Sequence, residues 1–157
     1  MGKQDVLFFK ELVCVFQEVF ETENPATPKE TYLQSLLDKP GFIVYAVICK
    51  NTVIGGLTAY ELPMYYGEYA ELLIYDIAIK TEYQRKKIGA KLILTLKEYC
   101  KYNGIREFFV PANEEDKHAL DFYHHTGGIA EKVVHFNYEI KPIRDGDATS
   151  SGDDHFQ

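Results

Sequence analysis

Residues 74–96, IYDIAIKTEYQRKKIGAKLILTL, are the stretch that decides how this 157-residue chain folds. The stretch begins inside an apolar run, residues 72–79, which has the length and composition of a buried strand with one carboxylate, Asp76, within it. A cation-rich bend follows at residues 80–87, and apolar residues then recur at helical spacing from Ile88 onward. The pattern predicts a buried strand, a basic loop and a helix, in that order.

A strand, a basic loop and a helix N-terminus together form an arrangement that binds anions. The first backbone N–H groups of a helix have no partner inside it, and the helix dipole is positive at that end. The loop at residues 84–90, QRKKIGA, adds cationic side chains to those N–H groups, which suits a diphosphate. Composition alone fits a solvated basic turn equally well, so both interpretations stay open at this point.

The overall composition is that of a soluble globular protein without a nucleic-acid surface. The hydrophobic content is 46%, the charged content 26% and the net charge −7. The last 17 residues hold two cations and four Asp, a net −2, so residues 1–140 carry −5. An acidic body lacks the basic footprint that nucleic acids require. It suits a cationic substrate, although the same charge also serves solubility.

Chain length and the composition of the C-terminus define the expected domain organisation. We predict a single domain at residues 1–140, followed by a flexible acidic tail at residues 141–157 that is rich in Gly, Asp and Ser. The three cysteines, Cys14, Cys49 and Cys100, lie in apolar stretches and are expected to be core thiols. With no apolar run near ~20 residues and no signal-peptide pattern, we expect no membrane span and a cytoplasmic protein.

Periodicity and turn signals predict four helices and five strands. In chain order they are helix 5–20, helix 28–37, strand 42–49, strand 53–62, strand 72–79, helix 88–102, strand 106–111, helix 117–126 and strand 129–140. The second helix is expected to begin with a capping box, with Thr27 as N-cap, Pro28 at the first position and Glu30 at the third. Residues 55–56, a Gly pair, indicate a bulge or close packing, and Gly104 is expected to end the central helix in the left-handed conformation.

The basic loop and the order of elements resemble those of the GNAT N-acetyltransferases. The loop pattern of that superfamily is Gln/Arg-x-x-Gly-x-Gly/Ala, and Gln84 and Gly89 occupy its first and last positions. Lys87 stands where the first Gly is usual; a non-Gly residue is tolerable at this position if its backbone stays helical in sign, and Lys adds a positive charge. The resemblance implies an α/β fold with a central mixed sheet flanked by helices, and a first edge strand that is short or absent.

More narrowly, residues 5–140 resemble the aminoglycoside 3-N-acetyltransferases. The likeness rests on residues 74–79 (IYDIAI), 119–123 (ALDFY) and 134–136 (VHF). It implies an acetyl-CoA-dependent enzyme, without a metal, that acetylates a small polycationic amine. The specific expectation is the 3-amino group of an aminoglycoside, attacked directly in a ternary complex, as in antibiotic resistance. The family also makes a homodimer plausible, for which the tyrosines at positions 65, 66 and 69 are candidates.

The resemblance assigns the residues that hold acetyl-CoA. Backbone contacts to the pantetheine arm fall on Ile77, Ala78 and Ile79, with Asn113 as a further hydrogen-bonding candidate. Contacts to the pyrophosphate fall on Gln84, Arg85, Lys86, Lys87, Ile88, Gly89 and Ala90.

Three residues are candidates for proton transfer. The resemblance places Tyr123 where its hydroxyl protonates the departing CoA thiolate as a general acid, although it could simply pack in the core. Asp76 is the leading general base, because a charge inside an apolar strand is costly and calls for an explanation. A structural carboxylate bonded to the splayed backbone is the alternative, and Glu71 is the second choice of base.

Acidic loops are expected to select the acceptor amine. Glu114 and Asp116, together with Asp76 and Glu71, could line an amine-binding cleft, and the loops at residues 63–69 and 113–117 would set its shape. Another amine (a polyamine, an amino acid or a protein amine) is the alternative acceptor, and a non-catalytic acyl-CoA-binding module is the alternative class. His135 is expected to be a core or dimer-edge residue.

Overall fold

The computed structural model describes residues 1–140 as four helices and one four-stranded sheet. The helices are α1 Val6–Val19, α2 Glu30–Leu37, α3 Ile88–Tyr102 and α4 Lys117–His125. The strands are β1 Phe42–Cys49, β2 Thr52–Pro63, β3 Ala70–Ile79 and β4 Ile105–Phe109. The predicted tail at residues 141–157 lies outside the described residues. None of the described helices is long and apolar enough to cross a membrane.

The sheet is mixed, as predicted, and its strands follow chain order. The β1–β2 and β2–β3 pairs are antiparallel, whereas β3 and β4 are parallel and are joined through α3. No strand precedes α1 in the part of the chain that the structure describes, as expected. Instead, the N-terminal amine of Met1 donates a hydrogen bond to the carbonyl of Val44 in β1 at 2.9 Å, which covers part of that edge.

Helices cover both faces of the sheet. On one face, α3 contributes Leu92, Ile93 and Leu96 to a core built on sheet residues such as Leu57 and Leu72. Each fully buried side chain of this size stabilises the fold by about 1.5–3 kcal/mol. This layer fixes β3 and the start of α3 relative to each other.

The opposite face is covered by α1 and α2. Phe9, Leu12 and Phe16 of α1 are buried against Val44 of β1 and Leu33 of α2. The two faces of the sheet therefore have different neighbours, so the face to which a β3 side chain points decides its surroundings.

A β-bulge in β3 interrupts the alternation of its side chains. Thr58 of β2 pairs with Asp76, but the next residue, Ala59, pairs with Ile74, which leaves Tyr75 as an extra residue. A bulge of this kind moves every later side chain of the strand to the other face.

The core clusters show this change of face. Leu72 and Ile74, before the bulge, face α3, and so do Ile77 and Ile79 after it. Ala78 consequently faces α1. The sequence predicted the strand but not the bulge within it.

The start of the second helix and the last strand were predicted wrongly. The second helix begins at Glu30 with Lys29 as N-cap and no capping side chain, so Thr27 and Pro28 do not form the capping box. Glu30 instead pairs with Lys10 of α1, with 2.8 Å between Nζ and Oε1. The predicted strand at residues 129–140 has no ladder partner in the described chain, and all of its residues are exposed.

Two further expectations of burial are also corrected. Cys14 is exposed, because it lies on the solvent side of α1, about 200° around the helix from Leu12. Cys100, on the core side of α3, is buried as predicted. His135 lies in the exposed segment and is not a core residue.

Gly56 marks a close approach of α1 to the sheet. A Cβ there would lie 2.8 Å from a methyl of Leu12 and 2.2 Å from the carbonyl oxygen of Tyr45. The predicted close packing at this Gly pair is therefore confirmed, and a bulge lies beside it, between Val47 and Ile48 of β1. Gly104 has φ +68°, which confirms the left-handed end of α3.

We predict that Gly56→Ala destabilises the protein, because the added methyl meets backbone that cannot move away cheaply. The expected loss is about 1–3 kcal/mol in the free energy of unfolding, measured by urea titration. Gly104→Asn is the control, because Asn tolerates the left-handed conformation and nothing lies within 4 Å of a Cβ at that position. Equal stability of Gly56→Ala and wild type would contradict this account of the packing.

Candidate active site

The β3 and β4 strands separate halfway along β3. The last pair in their ladder is Leu73 with Phe109, yet β3 continues to Ile79, paired there only with β2. From Ile74 to Ile79, the backbone groups that point toward β4 therefore have no ladder partner among the described residues. Backbone N–H and C=O groups are obligatory hydrogen-bonding groups, so this edge suits an extended polar ligand.

The bulge places Asp76 at this separation. Without the extra residue, Asp76 would share the α3-facing core with Ile74; with it, Asp76 lies on the face covered by α1 and α2. Its carboxyl group is half-buried, and burial raises its pKa above the ordinary value. A hydrogen bond from the hydroxyl of Thr58, its cross-strand partner, opposes that rise without cancelling it.

Tyr123 lies on α4, within electrostatic reach of Asp76. Burial, followed by the charges of Asp116 and Asp76, raises the pKa of its phenol to about 12. The hydroxyl therefore keeps its proton throughout the neutral range and acts as a donor, not as a base. Two of the three candidates for proton transfer, Tyr123 and Asp76, are therefore close enough to interact electrostatically.

An aromatic cavity opens beside Asp76. Its volume is about 340 Å³, within the range of small-ligand pockets. It lies between α1, α2 and the sheet, and its aromatic lining includes Phe16, Phe20, Tyr32, Phe42, Tyr60 and Tyr75. Asp76 is the one charged side chain among the described residues that line it.

The aromatic rings hold one another in place. The rings of Phe42 and Tyr60 are 4.9 Å apart between centroids, and those of Tyr60 and Tyr75 meet edge to face at 5.9 Å. Such contacts add to the stabilisation from burial and define a firm wall. Because Tyr75 is the bulged residue, the irregularity that turns Asp76 into the cavity also supplies part of its wall.

The basic loop leads into α3 with a left-handed N-cap. Lys87 has φ +62° and Arg85 has φ +59°, so the condition under which a non-Gly residue fits this position without strain is not met. The family pattern has Gly at this position because Gly adopts that conformation without strain. No side chain caps α3, so the first N–H groups of α3, from Ile88 to Ala90, point toward solvent without a capping partner.

Two side chains of the loop are engaged within the protein. The amide of Gln84 donates to the carbonyl of Ile79 at 2.9 Å and ties the loop to the end of β3. The ammonium group of Lys86 donates to the carbonyl of Glu82 at 2.9 Å. Any ligand in the loop would therefore meet mainly backbone N–H groups and the cations of Arg85 and Lys87.

Gly89 allows α4 to approach α3. A Cβ at Gly89 would lie 3.0 Å from the ring of Phe122, the neighbour of Tyr123. The missing side chain thus lets the α3 N-terminus and the tyrosine of α4 lie close together. This contact explains why the last position of the loop pattern takes a small residue.

The remaining predicted residues lie farther from this centre or have local roles. Glu71 is on the same face as Tyr75 but five residues from Asp76, about 16 Å along the strand. Asn113 accepts a hydrogen bond from the N–H of Glu115 at 3.1 Å, and Asp116 caps α4 by accepting from Ala119 at 3.0 Å. Glu114 is exposed on the same loop.

The residues that surround Asp76 were not predicted from the sequence. Thr58 is the one buried polar side chain of the described residues, and it interrupts the apolar run of β2 as Asp76 interrupts that of β3. A polar residue inside each of two neighbouring apolar strands was the sequence signal that could have identified Thr58. The aromatic residues that line the cavity gave no such signal, because Phe and Tyr at these spacings are equally typical of a hydrophobic core.

Comparison with known proteins agrees with this architecture. The aminoglycoside acetyltransferase meta-AAC0020 from an uncultured soil metagenomic sample, solved with trehalose and with sisomicin, matches with a TM-score of 0.87. The two sequences are 39% identical over 90% of this chain and 93% of that one. The aminoglycoside acetyltransferase HMB0005, also from an uncultured soil metagenomic sample, gives 0.84 at 32% identity, covering 90% and 95%.

A more distant structure shares the fold alone. AAC(6')-Iy, solved with a bisubstrate analog of CoA, is 13% identical and gives a TM-score of 0.71 over 89% of this chain and 95% of that one. Among curated proteins there is no match.

The sequence profile of the acetyltransferase (GNAT) family matches residues 8–127, well over half of the chain. The chain therefore belongs to the GNAT acetyltransferase family and is an N-acetyltransferase. The fold and family expected from the basic loop are confirmed.

We predict that Lys87→Gly stabilises the fold, because Gly removes the strain of a left-handed Lys. The gain is about 1 kcal/mol, or roughly 2–4 °C in melting temperature. Affinity for CoA should fall about 2–5-fold at low salt, because one cation beside the helix N-terminus is lost.

Lys86→Gly is the matched control. It removes the same charge, but Lys86 has no positive φ, so the melting temperature should fall. Differential scanning fluorimetry measures the stabilities and isothermal titration calorimetry the affinities. A lower melting temperature for Lys87→Gly as well would contradict the assignment of strain.

Proposed function

We propose that this protein transfers the acetyl group of acetyl-CoA to the 3-amino group of an aminoglycoside, by direct attack in a ternary complex. The observation that carries the proposal is the position of Asp76, turned by the bulge into the aromatic cavity and within electrostatic reach of Tyr123. The solved complex of the 39% identical meta-AAC0020 with sisomicin supports the acceptor class.

The donor would lie along the open edge of β3. The pantetheine arm carries amides that can pair with those backbone groups of residues 77–79 that point away from β2, as an added strand would. The pyrophosphate would then meet the N–H groups at the start of α3, where the helix dipole and the cation of Lys87 favour a negative charge. The acetyl thioester ends at the separation of β3 and β4, beside Asp76.

The acceptor would enter from the aromatic cavity. A protonated amine is attracted to the single carboxylate there, and aromatic faces favour a cation or the apolar face of a sugar ring. The raised pKa of Asp76 makes it a better proton acceptor than an ordinary carboxylate. It takes a proton from the ammonium group, directly or through a water, and frees the lone pair.

Attack and departure follow in order. The amine lone pair forms the N–C bond at the acetyl carbonyl, and the nitrogen then loses its second proton to solvent. The tetrahedral intermediate collapses by breaking the C–S bond, which leaves a neutral amide and the CoA thiolate. Complete proton transfer from a phenol of pKa about 12 to a thiolate of ordinary pKa near ~8.5 is uphill by roughly 5 kcal/mol. The main role of Tyr123 is therefore a hydrogen bond to the charge that develops on sulfur, with the proton following as the thiolate is desolvated.

A second acceptor class is favoured by the composition of the cavity. An aminoglycoside carries several ammonium groups, whereas the cavity lining has one carboxylate and at least six aromatic rings. An amine with a single charge and an apolar body would match this lining better, because its charge would pair with the carboxylate and its body would pack against the aromatic rings. Glu71, on the same face, and Glu114 or Asp116 would have to serve the further ammonium groups of an aminoglycoside.

A substrate panel tests the proposal. Thiol release from acetyl-CoA is measured with sisomicin, spermidine, phenethylamine, free amino acids and a basic peptide, and the product is mapped by NMR. Fast release with sisomicin and acetylation at the 3-amino group is the expected result. Release only with another amine would discard the aminoglycoside, and CoA binding without any release would indicate a non-catalytic module.

We predict that Asp76→Asn lowers kcat/KM about 10²–10⁴-fold while leaving the fold at least as stable. Burial raises the pKa of Asp76, so its ionisation costs stability as the pH rises from about 4 through the raised value. Removing the charge should therefore raise the melting temperature at pH 7, and the difference from wild type should vanish in acid.

Glu71→Gln is the matched control on the same strand and face. It should change kcat little, because Glu71 is too far along β3 to share a proton with the same amine. A large loss of kcat in Glu71→Gln with a small one in Asp76→Asn would reverse the assignment of the base. Unfolding of Asp76→Asn would favour the structural role.

We predict that Tyr123→Phe lowers kcat about 10–150-fold. This is the rate effect expected from the loss of one hydrogen bond to a developing charge. CoA affinity should change little. No basic limb from Tyr123 is expected in the pH profile below about pH 11, because the pKa of its phenol is about 12. A loss beyond ~10³-fold would indicate complete proton transfer, and unchanged turnover would exclude any role for the hydroxyl.

A further inference from the structure

Thr58 places a hydroxyl group where the fold otherwise holds only apolar side chains. It lies in β2 within an unbroken run of buried residues, 53–59, whose other members are aliphatic or Gly. Only 6% of its surface is exposed. A Val of the same shape would fill this position without a polar group, so the hydroxyl needs a partner that repays its burial.

The partner of that hydroxyl is the carboxylate of Asp76. The two residues are directly opposite each other in the antiparallel β2–β3 ladder, where side chains of one face lie about 4.5–5.5 Å apart between Cβ atoms. Both line the aromatic cavity, and the hydroxyl of Thr58 donates a hydrogen bond to the carboxylate. The bulge follows immediately, and without it Asp76 would lie opposite Leu57 instead.

A threonine is well suited to fix the direction of this carboxylate. Its β-branched side chain has few rotamers in a strand, so the hydroxyl is held in place before any ligand binds. One hydroxyl donates one hydrogen bond, whereas a carboxylate has two oxygens. The second oxygen of Asp76 therefore remains free to accept a proton in the cavity.

The titratable groups that surround Asp76 are phenols. In the described lining of the cavity no side chain is a cation, the residues from α1 are uncharged, and α2 and β3 contribute Tyr32 and Tyr75. Burial raises the pKa of Tyr60 on β2, and it raises the pKa of Tyr123 on α4 to about 12, so both phenols stay neutral. Burial opposes the ionisation of Asp76, and the hydrogen bond from the threonine favours it.

We propose that Thr58 is a positioning residue for acetyl transfer: its hydroxyl holds one carboxylate oxygen of Asp76, so that the other oxygen faces the acceptor amine. The proposal rests on the proposed role of Asp76 as the base. It adds that this base works only when its neighbour on β2 fixes its orientation and supports its ionised form. Loss of the hydroxyl should free the carboxylate to rotate and make it harder to ionise.

Three substitutions in the full-length protein test this role. Thr58→Val keeps the shape of the side chain without the hydroxyl, and Thr58→Ser keeps the hydroxyl. Thr52→Val is the matched control, because it makes the same change at the exposed first residue of β2, about 20 Å along the strand. The pH profile of kcat/KM is measured with acetyl-CoA and the best acceptor of the panel, and the carboxyl group of Asp76 is titrated by ¹³C NMR without substrate.

In Thr58→Val the acid limb of kcat/KM should move to higher pH by about 0.5–1 pH unit, and the NMR titration of Asp76 should move with it. On the plateau kcat should fall about 5–50-fold, because the carboxylate is no longer held in one orientation. Thr58→Ser should restore most of this loss, and Thr52→Val should match wild type. All variants should keep the wild-type circular dichroism spectrum.

An unchanged NMR titration in Thr58→Val would overturn the proposal, because the hydroxyl would then not bond the carboxylate. A loss of kcat that is equally large in Thr58→Ser would also overturn it, since packing rather than the hydroxyl would be responsible. Wild-type turnover of Asp76→Asn would remove the base itself and with it the positioning role. The NMR titration distinguishes that failure of the proposed function, because it reports the hydrogen bond without any turnover.

Discussion

The extra residue in β3 is the constraint on which the site depends. One inserted position, Tyr75, moves Asp76 from the face that packs on α3 to the face beside the aromatic cavity. The same irregularity lies where β4 leaves the sheet, so a carboxylate, an open backbone edge and a cavity occur together. A strand with perfect alternation would bury the carboxylate in an apolar core. Burying an unpaired charge there would cost a large part of the free energy of folding.

The site combines unfavourable local features with a firm surrounding structure. A half-buried carboxylate and a left-handed Lys87 each cost stability. The carboxylate lies where the acetyl group and the acceptor are proposed to meet, and Lys87 lies where the pyrophosphate of the donor is proposed to bind. The apolar side chains packed on both faces of the sheet keep these features in place. The close packing of Phe122 against Gly89 does the same for the start of α3. Strain at functional positions persists only when the structure around it is over-determined.

The sequence predicted the elements that local patterns specify. The apolar run of β3, the basic loop and the periodicity of α3 are local signals, and they led to the fold and the family. The bulge at Tyr75, the hydrogen bond from Thr58 and the conformation of Lys87 depend on how strands pair and helices dock, which spacing does not encode. The segment at residues 129–140 shows the same limit: its alternating pattern predicts a strand, but the described chain supplies no strand that pairs with it.

The most direct measurement is a crystal structure of the ternary complex with CoA and sisomicin. The account predicts the CoA arm along the open edge of β3 from Ile77 to Ile79, with its sulfur at the hydroxyl of Tyr123. The acceptor nitrogen should lie about 2.6–3.2 Å from the carboxylate of Asp76, or one water away. An acceptor nitrogen at Glu71, or on the α3 side of the sheet, would contradict the role given to the bulge.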